Sequence, residues 1–147
     1  MKTLYLFFIL TAFTGISANL YSQVKKDTTV SKSIFIDAKG GIHNHAGTRL
    51  GYIDKDNIVR NNKGQKLYFI DKNGNVIDAK SKNLGRAKKN GNYYNAKGEN
   101  VIMVKDKNAT MCEIVDPKGH KLGTVHKNYK LHACAAHCFF KSQAKPK

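Results

Sequence analysis

The densest group of chemically capable side chains lies near the C-terminus, where His132, Cys134, His137 and Cys138 are close together. Thiolate sulfur and neutral imidazole are soft ligands that suit zinc or copper. The order His-x-Cys-x-x-His-Cys matches no paired zinc motif, and the haem-attachment order Cys-x-x-Cys-His is absent. On a strand His132, Cys134 and Cys138 would share one face; on a helix Cys134 and Cys138 would. Nucleophilic catalysis would need a cysteine, a base beside it and a group that orients the base. His132 or His137 could serve as base for Cys134, but no acidic partner or oxyanion-hole signature stands nearby. The expectation is an apolar closing element, Leu131–Phe140, with no catalytic residue, no bound metal and no cofactor.

Cys112, Cys134 and Cys138 are the three cysteines of the chain. In an oxidising compartment three cysteines imply one disulfide and one thiol left over. Cys134 and Cys138 fit each other poorly: as a strand they lie roughly 13 Å apart, and an in-helix bridge strains the required geometry. The expected bridge therefore joins Cys112 to Cys134 or Cys138.

Two acidic stretches, Asp54-Lys55-Asp56-Asn57 and Asp71-Lys72-Asn73-Gly74-Asn75, have the start of a calcium loop but no late bidentate glutamate. Aspartate and asparagine are also what tight turns need for side-chain hydrogen bonds to nearby amides, and that role is expected here. Tyr52, Tyr68, Phe69, Tyr93 and Tyr94 alternate with lysines and could stack on sugars or bases. They equally suit strand packing, which is the expectation.

The elements that must carry these residues come from a repeat. In register the chain reads GTRLGYIDKDNIVRNNK (47–63), GQKLYFIDKNGNVIDAK (64–80), SKNLGRAKKNGNYYNAK (81–97), GENVIMVKDKNATMCEIVDPK (98–118) and GHKLGTVHKNYKLHACA (119–135). A short fixed period means one small unit, copied, that cannot bury a core alone. In the 64–80 copy, Lys66–Asp71 and Asn75–Asp78 are extended runs, and the intervening Asn73-Gly74 predicts a two-residue hairpin turn with positive φ at both residues. Two apolar columns run through the copies: Leu50, Leu67, Leu84, Val101 and Leu122, then Ile53, Ile70, Ala87, Val104 and Val125. Three residues separate them, which puts them on opposite faces of a regular strand. Either both faces are covered, or a bulge near Gly51, Gly85 and Gly123 flips the register. Ser33–Asp37 and Ile42–His45 look like a degenerate first unit, with Ile36 falling 17 residues before Ile53. The fold class is all-β: repeated antiparallel hairpins closing into a shallow, pseudo-symmetric barrel, since closure removes exposed strand edges.

The repeated glycine with the text LGYIDKDN-IV and LYFIDKNGNVID, over residues 30–135, resembles the five-fold β-flower proteins. That resemblance implies a shallow barrel of repeated hairpins behind a signal or anchoring segment. It brings no active site, because the family's molecular function is not established.

Residues 1–22 have the layout of a secretory signal peptide: Lys2, an apolar run at Leu4–Ala12, then small residues for cleavage after Ala18 or Ser22. Residues 23–32 are a polar linker, 33–140 the repeat domain with units starting near 30, 47, 64, 81, 98 and 119, and 141–147 a basic tail. The first cysteine is Cys112, so a lipoprotein is not expected. Removing the leader takes away only Lys2, leaving 25 basic against 10 acidic residues. Almost all the bases are lysines, which attract polyanions loosely and with strong salt dependence, rather than gripping phosphate as arginine does. The expected protein is exported to the periplasm, cell surface or medium. It is expected to be non-catalytic, with a basic surface for anionic envelope lipid or polysaccharide. The second reading is a structural, self-assembling envelope protein without a dedicated ligand, forming homo-oligomers through ring stacking or the odd cysteine. Nucleic acid ranks below both.

Overall fold

The computed structural model describes residues 33–143, so the expected signal peptide, the linker and the final four residues lie outside it. Eleven strands follow in order: β1 (Ile34–Ile36), β2 (Gly41–Asn44), β3 (Arg49–Ile53), β4 (Ile58–Asn61), β5 (Lys66–Ile70), β6 (Asn75–Asp78), β7 (Asn83–Ala87), β8 (Tyr93–Asn95), β9 (Asn100–Asp106), β10 (Met111–Val115) and β11 (Lys121–His126). They form one closed barrel in which each strand pairs antiparallel with the next in sequence. The seam is the exception. β1 and β11 pair in parallel, Ile34 with Gly123, Phe35 with Thr124 and Ile36 with Val125. Directions alternate around an up-and-down ring, so an odd number of strands forces one parallel pair. The oddness has a sequence cause: β11 is the first strand of a copy whose second strand is missing, and β1 takes the vacant place.

Nine hairpin connections share one geometry. In the turn after β5, Asp71 N–H donates to the carbonyl of Asn75 and Gly74 N–H to the carbonyl of Asp71, at 3.0 and 2.9 Å. The loop is thus three residues long, and only the last, Gly74, has positive φ (84°). Asn73 does not, so the expected two-residue turn is replaced by a type I turn that ends in a left-handed residue. Asp71 Oδ1 completes it by accepting from the amides of Asn73 and Asn75. Asp54 does the same for Asp56 and Ile58, which gives both calcium-like stretches a turn role.

A bulge decides between the two readings of the apolar columns. On β3 the register passes from Ile42↔Gly51 to His43↔Arg49, leaving Leu50 unpaired. The same step skips Leu67 on β5, Leu84 on β7, Val101 on β9 and Leu122 on β11. The first column is therefore the bulged residue of every copy. The bulge turns it towards the side that Ile53 and its counterparts already face, and both columns join the core.

Eleven strands enclose a lumen wider than side chains alone fill, since about eight strands is the size that they do fill. The C-terminal segment supplies the difference. A 3-10 segment, Lys127–Cys134, kinked at Tyr129, leads into α1 (Ala135–Gln143). Ala133, Cys134, Ala135, Ala136 and Phe139 are buried in the same cluster as Ile36, Val59, Val76 and Ile102. The closing element is a helix and not a last strand. Its alanines let backbone approach where Tyr68 and Tyr93 already occupy space.

Candidate functional site

Each rim of the barrel is a ring of turns. The turns at 37–40, 54–57, 71–74 and 88–91 lie on the first rim; those at 44–47, 61–64, 78–81, 95–98 and 116–119 lie on the second. Lys63, Lys80, Lys97 and Lys118 occupy the same loop position around the second rim, and all are exposed. The acidic residues are placed differently. Asp37, Asp54, Asp71, Asp78 and Asp116 start turns and fold back onto backbone amides. Burial alone would raise Asp37 and Asp54. Hydrogen bonds from His43 and Arg60, joined by those amides, outweigh it and hold both carboxyls below their usual range. Among the described residues the lysine ion pairs are Lys121–Glu113 at 3.3 Å and Lys130–Asp106 at 3.1 Å. These five carboxylates are thus tied into the loops while lysines project from them.

The aromatic residues divide. Tyr68 and Tyr93 are buried in the barrel, as packing predicts. Tyr52, Phe69 and Tyr94 lie on the outer wall, each with a cation over its ring: Arg49 at 5.2 Å, Lys66 at 4.1 Å and Lys88 at 5.7 Å.

The plug carries the cysteine and histidine residues. It enters at the first rim, where Lys127 N–H donates to the Thr110 carbonyl. It then passes through the lumen until Cys138 and Phe139 line a cleft of about 640 Å³ with Lys97 and Asn83 of the second rim. Cys134 is fully buried and its thiol donates to Tyr68 Oη at 3.7 Å. Cys138 is half-buried and lines that cleft. The Cys138 contact, followed by burial, pushes the Cys134 thiol well above its ordinary range. Burial also pushes Tyr68 and Tyr93 upward, so both stay protonated. Tyr93 Oη donates to the Leu84 carbonyl at 2.6 Å, and the His137 ring lies tilted against Tyr93, 5.6 Å between centroids.

The expected bridge from Cys112 to Cys134 or Cys138 is not formed, and the three thiols are free. Cys112 sits in β10 with its thiol on Asp106 at 3.3 Å, near the first rim, whereas Cys134 is buried against Tyr68 and Cys138 lines the cleft at the second rim. His132 does not join them. It is 2% exposed, its Nδ1 has no hydrogen-bond partner, and burial lowers its pKa to about 4. Among the described residues no three His, Cys, Asp or Glu side chains converge as a metal centre. The sequence reading gave Tyr68 and Tyr93 a packing role but did not place them beside the plug. A signal was present: Tyr68 stands where three other copies have Gly51, Gly85 and Gly123, and Tyr93 interrupts the aliphatic column Ile42, Val59, Val76 and Ile114.

Five bulged hairpins around one axis form the described barrel, and a family model described as 5-fold beta-flower protein matches residues 22–141. The chain belongs to that family. No curated protein and no solved structure matches it. The family accounts for the beta-flower barrel and carries no established activity to its cleft or rims.

Proposed function

We propose that the protein is an exported, non-catalytic binding module whose lysine-bearing rims hold anionic envelope lipid or polysaccharide. The observation that carries this reading is the opposed placement of the charges. Asp78 and Asp116 are drawn back onto turn amides, while Lys63, Lys80, Lys97 and Lys118 stand exposed at equivalent points of the same rim. Such an array attracts a polyanion through a summed field without shaping a pocket for it. The leader-like residues 1–22 support export. A closed ring offers no strand edge, so self-assembly by edge pairing gains no support.

The test is cosedimentation with vesicles of phosphatidylglycerol or phosphatidylcholine, and with an acidic polysaccharide, at low and raised salt. Binding to the anionic partners that fades as salt shortens the screening length below about 8 Å is expected. The quadruple variant Lys63→Gln, Lys80→Gln, Lys97→Gln, Lys118→Gln binds more weakly. Binding that is indifferent to salt, or equal for the neutral vesicle, defeats the reading.

A further inference from the structure

We propose that the outer wall across β6, β7 and β8 carries a furrow that binds a uronic acid unit of an acidic polysaccharide. Asn75 pairs with Arg86 and Arg86 with Tyr94, so the three form one row across three strands. Their chain neighbours Val76, Ala87 and Tyr93 are buried in the barrel. Side chains alternate along a strand, so the row faces outward. It crosses a furrow of about 550 Å³ whose lining also includes Asn83 and Lys88 and contains no aspartate or glutamate.

Charge and unused hydrogen-bonding groups define the occupant. Arg60 is held by Asp54 at 2.7 Å, whereas Arg86 has no ion pair among the described residues. Arg86 Nε donates to the Asn73 carbonyl at 3.1 Å, which orients the guanidinium and leaves its terminal nitrogens to fork a carboxylate. Lys88 adds a second cation, 5.7 Å from the centre of the Tyr94 ring. Asn75 gives its Nδ2 to Asp71, and Asn83 uses its Oδ1 on the Gly85 amide. Asn75 Oδ1 and Asn83 Nδ2 are left as an acceptor and a donor for sugar hydroxyls. An acidic peptide would gain from a strand edge, and the closed barrel has none. An acyl chain would need an apolar channel, and carboxamides and cations do not make one. The four rim lysines are absent from this lining, so the site does not rest on the rim reading.

The full-length chain is titrated by calorimetry with trigalacturonate, with the neutral trisaccharide maltotriose and with inorganic phosphate. Trigalacturonate binds saturably at one site, and the other two bind at least tenfold more weakly. Arg86→Gln weakens trigalacturonate roughly tenfold or more, the loss of a charge-assisted hydrogen bond. Ala96→Glu, which puts a carboxylate into the furrow from an exposed loop position, has a similar effect. Lys105→Gln removes one exposed charge from β9, outside the lining, and leaves binding within twofold. Should Arg86→Gln fail to fold, Ala96→Glu decides alone. No saturable binding, equal affinity for maltotriose or phosphate, binding retained in Ala96→Glu, or an equal loss in Lys105→Gln overturns the site. Anionic vesicles read the rims separately, so either reading can fail alone.

Discussion

Ile36 and Val125 stand opposite each other across the parallel seam, fully buried, and they hold the same place in the first and last copies of the repeat. The barrel therefore closes by pairing two first strands. Closure depends on how closely β11 can approach β1, and that approach is set two residues away, where Gly123 faces Ile34.

A methyl group on Gly123 would run into the Ile34 carbonyl, which the seam holds in place. Gly98 is the control: it has a φ of +83° but open space around its missing Cβ. Gly98→Ala should cost about 1–2 kcal/mol from backbone strain alone. Gly123→Ala should cost more than about 4 kcal/mol, in the range reserved for a named steric failure. Urea unfolding midpoints measure both. Equal losses would mean that the seam yields freely and does not limit the barrel.

Ser81 takes the left-handed loop position that Gly64, Gly74 and Gly98 take in neighbouring copies, with φ 64°. Its β-carbon bears a strain that glycine lacks. Ser81→Gly should therefore raise stability, by up to about 1 kcal/mol after the entropy cost of glycine in the unfolded chain. Asn57→Gly, at φ 60°, should gain less, because asparagine tolerates this region. Denaturant midpoints for the two variants test the order.

The barrel was legible in the sequence because its rhythm is written in turn residues, and Asp71 or Gly74 signals a turn without tertiary help. The bulge was legible only as a dilemma. Leu50 and Ile53 share a face through the unpaired residue between Ile42↔Gly51 and His43↔Arg49, a register fact about a neighbouring strand. The direction of the seam follows from counting strands, but only once Lys127–Cys134 has left the sheet to fill the lumen. The cysteines were hardest to place. Spacing allowed a strand or a helix for Cys134 and Cys138, and both readings sent Cys112 to a partner that it does not meet.

Asparagine stands where aspartate does at several turn starts: Asn44, Asn61 and Asn95 each accept two amide hydrogen bonds through Oδ1, as Asp71 does. The amide oxygen is thus the working part and the charge is secondary. Asp71→Asn keeps Oδ1 but loses the Oδ2 that accepts from Asn75 Nδ2 at 2.8 Å, so it should cost under about 1 kcal/mol. Asp71→Ala removes the acceptor for the amides of Asn73 and Asn75 and should cost about 1–2 kcal/mol. Thermal unfolding of the pair separates these effects; a large loss in Asp71→Asn would assign the role to charge instead.

His132 gives the protein a pH limit above the carboxylate range. Burial lowers its pKa from an ordinary 6.5 to about 4, so the folded chain holds it neutral while the unfolded chain protonates it first. Between those values the unfolded state binds the extra proton, and stability rises with pH. The contribution is present in full above pH 6.5 and is lost as pH falls towards 4, about 3 kcal/mol over the window. The turn carboxylates act lower: Asp37, Asp54 and Asp71 are held below 3.8, so their share is lost only as pH falls beneath it. Stability measured from pH 7 to pH 4.5 should therefore fall in the native chain and stay nearly level in His132→Gln. A matching slope in that variant would place the titrating group elsewhere.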